Sequence, residues 1–157
     1  MEQATASAAA ESIKNLLAPF CSRIEIAGSI RRQKPFCRDI DMVLIPVNQG
    51  KLLSSLQVLG KINTGAGKMI NLATPSGISV DIYVADEKTW ATLLLIRTGS
   101  KRHNIKLCSL AKQKGLKLHA DGSGLFRLTD AQRIAGDTEE GIFQALGLRY
   151  LPPEERE

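Results

Sequence analysis

Residues 28–41, with the sequence GSIRRQKPFCRDID, carry the most informative pattern in this chain. Asp39 and Asp41 are two residues apart, so a β-strand would project both carboxylates from the same face. The residues that follow, 42–45, are all apolar, which is typical of a buried strand. Two carboxylates on a buried strand are costly to ionise together without a cation. Because oxygen ligands favour a hard ion, the pair predicts a Mg²⁺ site.

The beginning of the same stretch predicts a turn that binds phosphate. Residues 23–27 alternate in the manner of a strand, and Gly28 and Ser29 then indicate a turn or a helix start. Backbone N–H groups left free at such a turn can bind a phosphate, and Arg31 and Arg32 would add positive charge. An Asp-x-Asp or Gly-Ser pair alone is a weak signal, because most such pairs are surface turns or helix caps.

A second predicted strand, residues 78–84, carries a third carboxylate. Its aliphatic residues alternate along one face and leave Ser79, Asp81 and Tyr83 on the other. Asp81 either faces solvent on an edge strand or joins Asp39 and Asp41 in one site. Three carboxylates could hold two cations about 3.5–4 Å apart, which would activate an attacking hydroxyl and stabilise a leaving pyrophosphate.

Composition narrows the class of protein. The 157 residues carry a net charge of +5, which favours an anionic partner, whereas 4% aromatic residues argue against base stacking as the main way of binding it. The three cysteines, Cys21, Cys37 and Cys108, have no metal-binding spacing and predict free thiols in a cytoplasmic, nuclear or viral setting. The sequence predicts neither a membrane segment nor a targeting signal.

The rest of the chain divides into short predicted elements. Helical spacing predicts helices over residues 5–17, 51–59, 89–97 and 101–113. Thr138 is the predicted N-cap of a last helix, and residues 115–118 and 124–128 are predicted strands. Residues 64–68, TGAGK, lack the first glycine and the final hydroxyl residue of a P-loop, so they predict a loop between two strands.

The order Gly-Ser, Arg-Arg, Asp-x-Asp resembles the nucleotidyltransferase signature of the DNA polymerase beta family (family X polymerases). Three further blocks also resemble that family: Val80-Asp81-Ile82, TGSKRHN at residues 98–104 and LGLRYLPPEER at residues 146–156. The resemblance covers residues 13–156. It implies an α+β fold, with a nucleotidyltransferase palm (a mixed sheet with helices) over residues 1–87 and a small α/β thumb over residues 88–157.

The function implied by this resemblance is DNA-directed DNA synthesis from a primer 3′ end by two-metal phosphoryl transfer, with gap filling in DNA repair as the expected role and no lyase domain. Asp39, Asp41 and Asp81 would be catalytic and would hold two Mg²⁺ ions, for which Mn²⁺ can substitute. The expected partners are primer–template or gapped DNA and nucleoside triphosphates, and the expected state is a monomer. The implied nucleotide contacts are Gly28, Ser29, Arg32, Gly99 and Asn104. The implied DNA contacts are Lys68, Lys101, Arg102 and Lys112.

Two other functions stay open from the sequence. A template-independent nucleotidyltransferase shares the Gly-Ser and Asp-x-Asp core, although residues 98–104 argue against it. A non-catalytic DNA-binding module is the second, although the three aspartates argue against that. The chain could also be a fragment of a longer polymerase. By the resemblance, Ile96 and Arg97 replace an aromatic pair beside the sugar, which predicts detectable insertion of ribonucleotides.

Overall fold

A mixed five-stranded sheet forms the centre of the computed structural model, which describes residues 1–65 and 67–157. Ala66, in the predicted loop 64–68, lies outside the described residues. The sheet has the order β1-β2-β5-β4-β3, and only β2 and β5 run parallel to each other. Its strands are β1 (Cys21–Ile26), β2 (Ile40–Pro46), β3 (Lys61–Thr64), β4 (Met69–Ala73) and β5 (Ser79–Val84).

Helices cover both faces of β2. Met42 and Leu44 pack into a core with Leu52 and other apolar residues of α1 (Gln3–Leu17) and α3 (Gln49–Leu59). On the opposite face, Val43 packs with Trp90 of α4 (Trp90–Thr98). This two-sided burial explains why β2 is apolar at every position after Asp41. Between β1 and β2, the chain forms the one-turn helix α2 (Gly28–Arg31).

The C-terminal part has a core of its own. Leu95 of α4 packs there with Leu107, Leu125 and Phe143. The elements around this core are α5 (Lys101–Gln113), the antiparallel strands β6 (Leu116–Leu118), β7 (Leu125–Arg127) and β8 (Arg133–Ala135), and α6 (Glu139–Ala145). The predicted α+β fold is thereby confirmed.

Local predictions in this part were accurate where local hydrogen bonds set the structure. The helix predicted over residues 101–113 has those bounds, and the Thr138 hydroxyl accepts a hydrogen bond from the Gly141 N–H at 2.9 Å, as an N-cap does. The strand β8 was missed because all three of its residues are half-buried, so its sequence shows no apolar face opposite a polar one. In the described part of the chain, no helix has the length and apolar character needed to cross a bilayer.

Candidate active site

A cleft of about 550 Å³ lies where α2, β2, β5, α4 and α5 meet. Its wall includes all five predicted nucleotide contacts, which are Gly28, Ser29, Arg32, Gly99 and Asn104. Asp39, Asp41 and Lys101 also line it, as do Tyr83, Ile96 and Arg97. Among the other predicted site residues, the cleft wall does not include Asp81, Lys68, Arg102 or Lys112.

The three aspartates lie on two neighbouring strands. Asp39 immediately precedes β2, Asp41 is its second residue, and Asp81 of β5 is the direct cross-strand partner of Asp41. Burial, followed by the negative charges of Asp39 and Asp81, raises the pKa of Asp41 to about 7. Asp81 accepts a hydrogen bond from the Asn71 side-chain amide at 2.5 Å. The structure therefore brings the carboxylates close enough for their charges to oppose one another.

These carboxylates fit a divalent cation that is shared with a substrate. Among the described residues, no three His, Cys, Asp or Glu side chains form a ready-made metal cage. Mg²⁺ seldom uses such a cage, because it keeps waters and binds one or two carboxylates together with substrate phosphates. A cation beside Asp41 would remove the electrostatic cost that its raised pKa reflects. The donor set is therefore compatible with Mg²⁺.

Gly28 is the residue that allows Asp41 its position. Its φ angle is +60°, which disfavours other residue types, and a Cβ there would overlap the Asp41 carboxylate. The backbone of α2 consequently approaches the carboxylate closely, and it brings Ser29 to the wall of the same cleft.

Arg32 joins the end of α2 to the end of α4. Its Nη1 donates a hydrogen bond to the Thr98 carbonyl, and its Nε is buried without a partner among the described residues. Burial lowers the pKa of Arg32, while the negative charge of Asp41 acts in the opposite direction. A Cβ at Gly99 would come within 3.1 Å of the same guanidinium, so the glycine allows this close packing.

Arg31 has a different environment from the one expected. It donates to the carboxylate of Glu139 in α6 at 2.8 and 3.1 Å, and to the Thr98 hydroxyl at 2.7 Å. Arg156, with 0% exposure, donates to the same carboxylate at 3.1 and 3.3 Å. The expectation that Arg31 supplies charge to a phosphate in the cleft is wrong, because its guanidinium is bound to Glu139 and Arg31 does not line the cleft. No local sequence signal could have indicated this contact, since Arg31 and Glu139 are 108 positions apart.

Asn104 of α5 and Arg97 of α4 also line the cleft. The Asn104 side-chain amide donates to the Ile96 carbonyl at 2.8 Å. The Arg97 guanidinium lies over the ring of Tyr83, with 4.2 Å between its Cζ and the ring centroid. Sequence reasoning placed Tyr83 on the same strand face as Asp81 but assigned it no function. This shared face was the sequence signal that could have indicated a place for Tyr83 in the site.

The predicted DNA contacts all lie at the surface. Lys101 and Arg102 form the exposed first turn of α5, Lys112 is exposed in its last turn, and Lys68 is exposed just before β4. Only Lys101 reaches the cleft. Their contact with DNA stays a prediction.

Comparisons with known proteins show what this chain is similar to. Residues 93–157 match the family model described as DNA polymerase beta thumb. The DNA polymerase/3′-5′ exonuclease PolX of Bacillus subtilis is 28% identical over 155 aligned positions, and the alignment covers 94% of this chain and 27% of that protein. DNA polymerase lambda of Rattus norvegicus is 32% identical over 160 aligned positions, and the alignment, gaps included, covers 83% of this chain and 28% of that protein. The chain thus spans about a quarter of the length of these two relatives.

Two further comparisons concern a shorter segment and the fold. DNA-directed DNA/RNA polymerase mu of Homo sapiens is 40% identical over 80 residues, covering 50% of this chain and 16% of that protein. The crystal structure of Leishmania infantum polymerase beta in a ternary P/T complex superposes with a TM-score of 0.82 at 21% identity. That superposition covers 100% of this chain and 76% of the other, so the two share a fold.

Proposed function

We propose that this chain extends a DNA primer by template-directed nucleotide transfer. The reason is that the chain belongs to the DNA polymerase beta family (family X polymerases). The observation that carries the proposal is the cleft itself. Gly28 and Ser29, the carboxylates of Asp39 and Asp41, and Lys101 and Asn104 of α5 all line it. Phosphoryl transfer needs positioning and charge neutralisation more than covalent help from the protein, and this set of residues can supply both.

Each group would act through its position. Ser29 and Arg32 would bind the triphosphate, and Asn104 and Gly99 would contact the base and sugar of the incoming nucleotide. Asp39, Asp41 and Asp81 would hold two Mg²⁺ ions, for which Mn²⁺ could substitute. When bound, these ions would neutralise charge on the attacking and leaving oxygens. Residues 1–87 would form the palm and residues 88–157 the thumb, with gapped DNA in repair as the proposed substrate.

The decisive experiment is primer extension by the Asp41→Asn variant in the presence of Mg²⁺. The expected result is a loss of rate of at least about 100-fold, with DNA affinity within a few-fold of wild type, because the carboxylate would hold the cation that neutralises the reacting phosphate and would not contact the duplex. Glu87→Gln is the matched control, since Glu87 is exposed and does not line the cleft. A rate close to wild type in Asp41→Asn would refute the site. Equal extension with and without a template would instead favour a template-independent transferase.

Sugar selection is a finer part of the proposal. Ile96 and Arg97 line the cleft, and the relative that is 40% identical over 80 residues is named a DNA/RNA polymerase. A pocket that only crowds the 2′-hydroxyl of a ribonucleotide should favour the deoxynucleotide weakly, on the order of 10²-fold. The kcat/KM for a deoxynucleotide and its matching ribonucleotide, measured opposite one template base, tests this. A ratio above roughly 10⁴ would contradict it.

A further inference from the structure

An apolar groove of about 250 Å³ lies between the C-terminal ends of α1 and α3. The six residues that line it, all apolar except Ser55, are Leu16, Leu17, Phe20, Ser55, Val58 and Leu59. Val58 is 87% exposed and Leu16 is 58% exposed. Val47, which is 71% exposed, adjoins the groove, because its N–H donates to the Phe20 carbonyl at 2.9 Å. Single exposed apolar residues need no explanation, but a contiguous group of them marks a surface that contacts another molecule.

The three segments that form the groove and its border carry no charged residue. They are residues 15–22, 46–50 and 52–60, although 24% of the whole chain is charged. The cations that border the first of these segments in the sequence, Lys14 and Arg23, both form ion pairs with glutamates. Because proteins bind the phosphates of nucleic acids mainly through Lys and Arg, this surface is unsuited to DNA. It suits a second surface that is likewise apolar and uncharged.

The groove and the candidate active site lie at opposite ends of the sheet. Asp39 and Asp41 are at the start of β2, whereas Val47 follows the last residue of that strand. At about 3.3 Å per residue, the backbones of Asp41 and Val47 are about 20 Å apart. A molecule that covers the groove would therefore leave the cleft open to its substrates.

We propose that a second copy of this chain covers the groove, in a weak symmetric dimer. A twofold axis brings the same patch of two copies together, so one patch must supply both a projecting side chain and the recess that receives it. Val58 supplies the projection, and the groove beside it supplies the recess. Because the chain carries a net charge of +5, contact through basic surfaces would be repulsive, whereas contact through this patch brings together no charged residues of its three segments. So few apolar side chains favour the weak class of interface.

The test is sedimentation velocity of the full chain without DNA, nucleotide or metal, at protein concentrations from about 1 µM to about 1 mM, which include the dissociation constants of weak interfaces. The wild type should dimerise reversibly in this range. Leu16→Lys should raise the dimer dissociation constant at least about 10-fold, because a twofold interface contains the new charge twice. Val58→Lys should have the same effect, and thermal melts of both variants check that they are folded.

A matched control exists in the C-terminal part of the chain. Leu128, which follows β7, is 59% exposed, against 58% for Leu16. Leu128→Lys therefore makes the same substitution at the same exposure but away from the groove, and it should leave the dissociation constant within about 2-fold of wild type.

The dependence on salt separates this dimer from association through bound nucleic acid. Lys51 and Lys61 flank α3 and are exposed, so their like charges should weaken the dimer at low salt, and added NaCl should strengthen it. Association that nucleic acid bridges would instead weaken with salt.

Three results would overturn the inference. The first is a monomer at every concentration, which would agree with the expectation from the sequence. The second is an equal effect of Leu16→Lys and Leu128→Lys, and the third is a dimer that weakens as salt is added. These measurements involve no nucleotide transfer, so the inference can fail while the proposed function stands.

Discussion

Replacing Glu139 with glutamine should lower the free energy of unfolding by about 3–5 kcal/mol, the usual cost of removing one partner from a buried ion pair. The carboxylate lies between Arg31 and Arg156 and accepts two hydrogen bonds from each. Arg156 has 0% exposure, so water cannot replace the lost charge around it. For a domain of this size, about 1 kcal/mol shifts the melting temperature by 2–4 °C, so the expected fall is on the order of 10 °C.

The pH dependence gives a second measurement of the same interaction. Burial alone would raise the pKa of Glu139, but hydrogen bonds from Arg31 and Arg156 lower it below its ordinary value. The stabilisation is therefore fully present above the pKa of an unfolded glutamate, about 4.3, and is lost as the pH falls through the lower folded-state pKa. The difference in stability between wild type and Glu139→Gln should accordingly be largest at neutral pH and shrink in acid.

Urea unfolding at pH 7 and at several acidic pH values would measure both effects. Asp137→Asn is the matched control, because its ion pair with Arg133, at 2.6 Å, is formed by a carboxylate side chain that is 86% exposed. Exposed pairs contribute less than about 1 kcal/mol. If Glu139→Gln cost no more than Asp137→Asn at pH 7, the reasoning that this network holds α2 against α6 would be refuted.

Three further predictions follow from single positions. Gly28→Ala should abolish primer extension and destabilise the fold by about 1–3 kcal/mol, because its Cβ would overlap the Asp41 carboxylate at a φ of +60°; activity assays and thermal melts test this. Burial lowers the pKa of His103 to about 4, so the unfolded chain binds a proton at a higher pH than the folded chain and the protein should lose stability as the pH falls from 6.5 to 4. His103→Phe should flatten that loss in thermal melts across the same pH range. Lys101→Ala and Lys112→Ala should each reduce the log–log salt slope of DNA binding by about one, whereas an unchanged slope would remove that lysine from the DNA surface.

Local chemistry made much of the site predictable from the sequence. The two-residue spacing of Asp39 and Asp41 is meaningful because side chains alternate along a strand, and the apolar residues after them indicated burial on both faces. The bounds of α5 and the cap at Thr138 were predictable because the hydrogen bonds that define them join residues three or four positions apart. Motif order then predicted the family, and the comparisons confirmed it.

Contacts between distant positions were decided only by the tertiary structure. Alternation along the chain predicts that Asp41 and Asp81 lie on strands, but their direct pairing depends on the parallel alignment of β2 and β5. The same limit explains Arg31, whose charge was expected to face a phosphate and instead meets Glu139, 108 positions away. Periodicity and capping report on neighbours within about one helical turn or one strand. A contact residue that is distant in the sequence leaves no such periodic pattern, so which residue makes the contact depends on how the helices and strands pack.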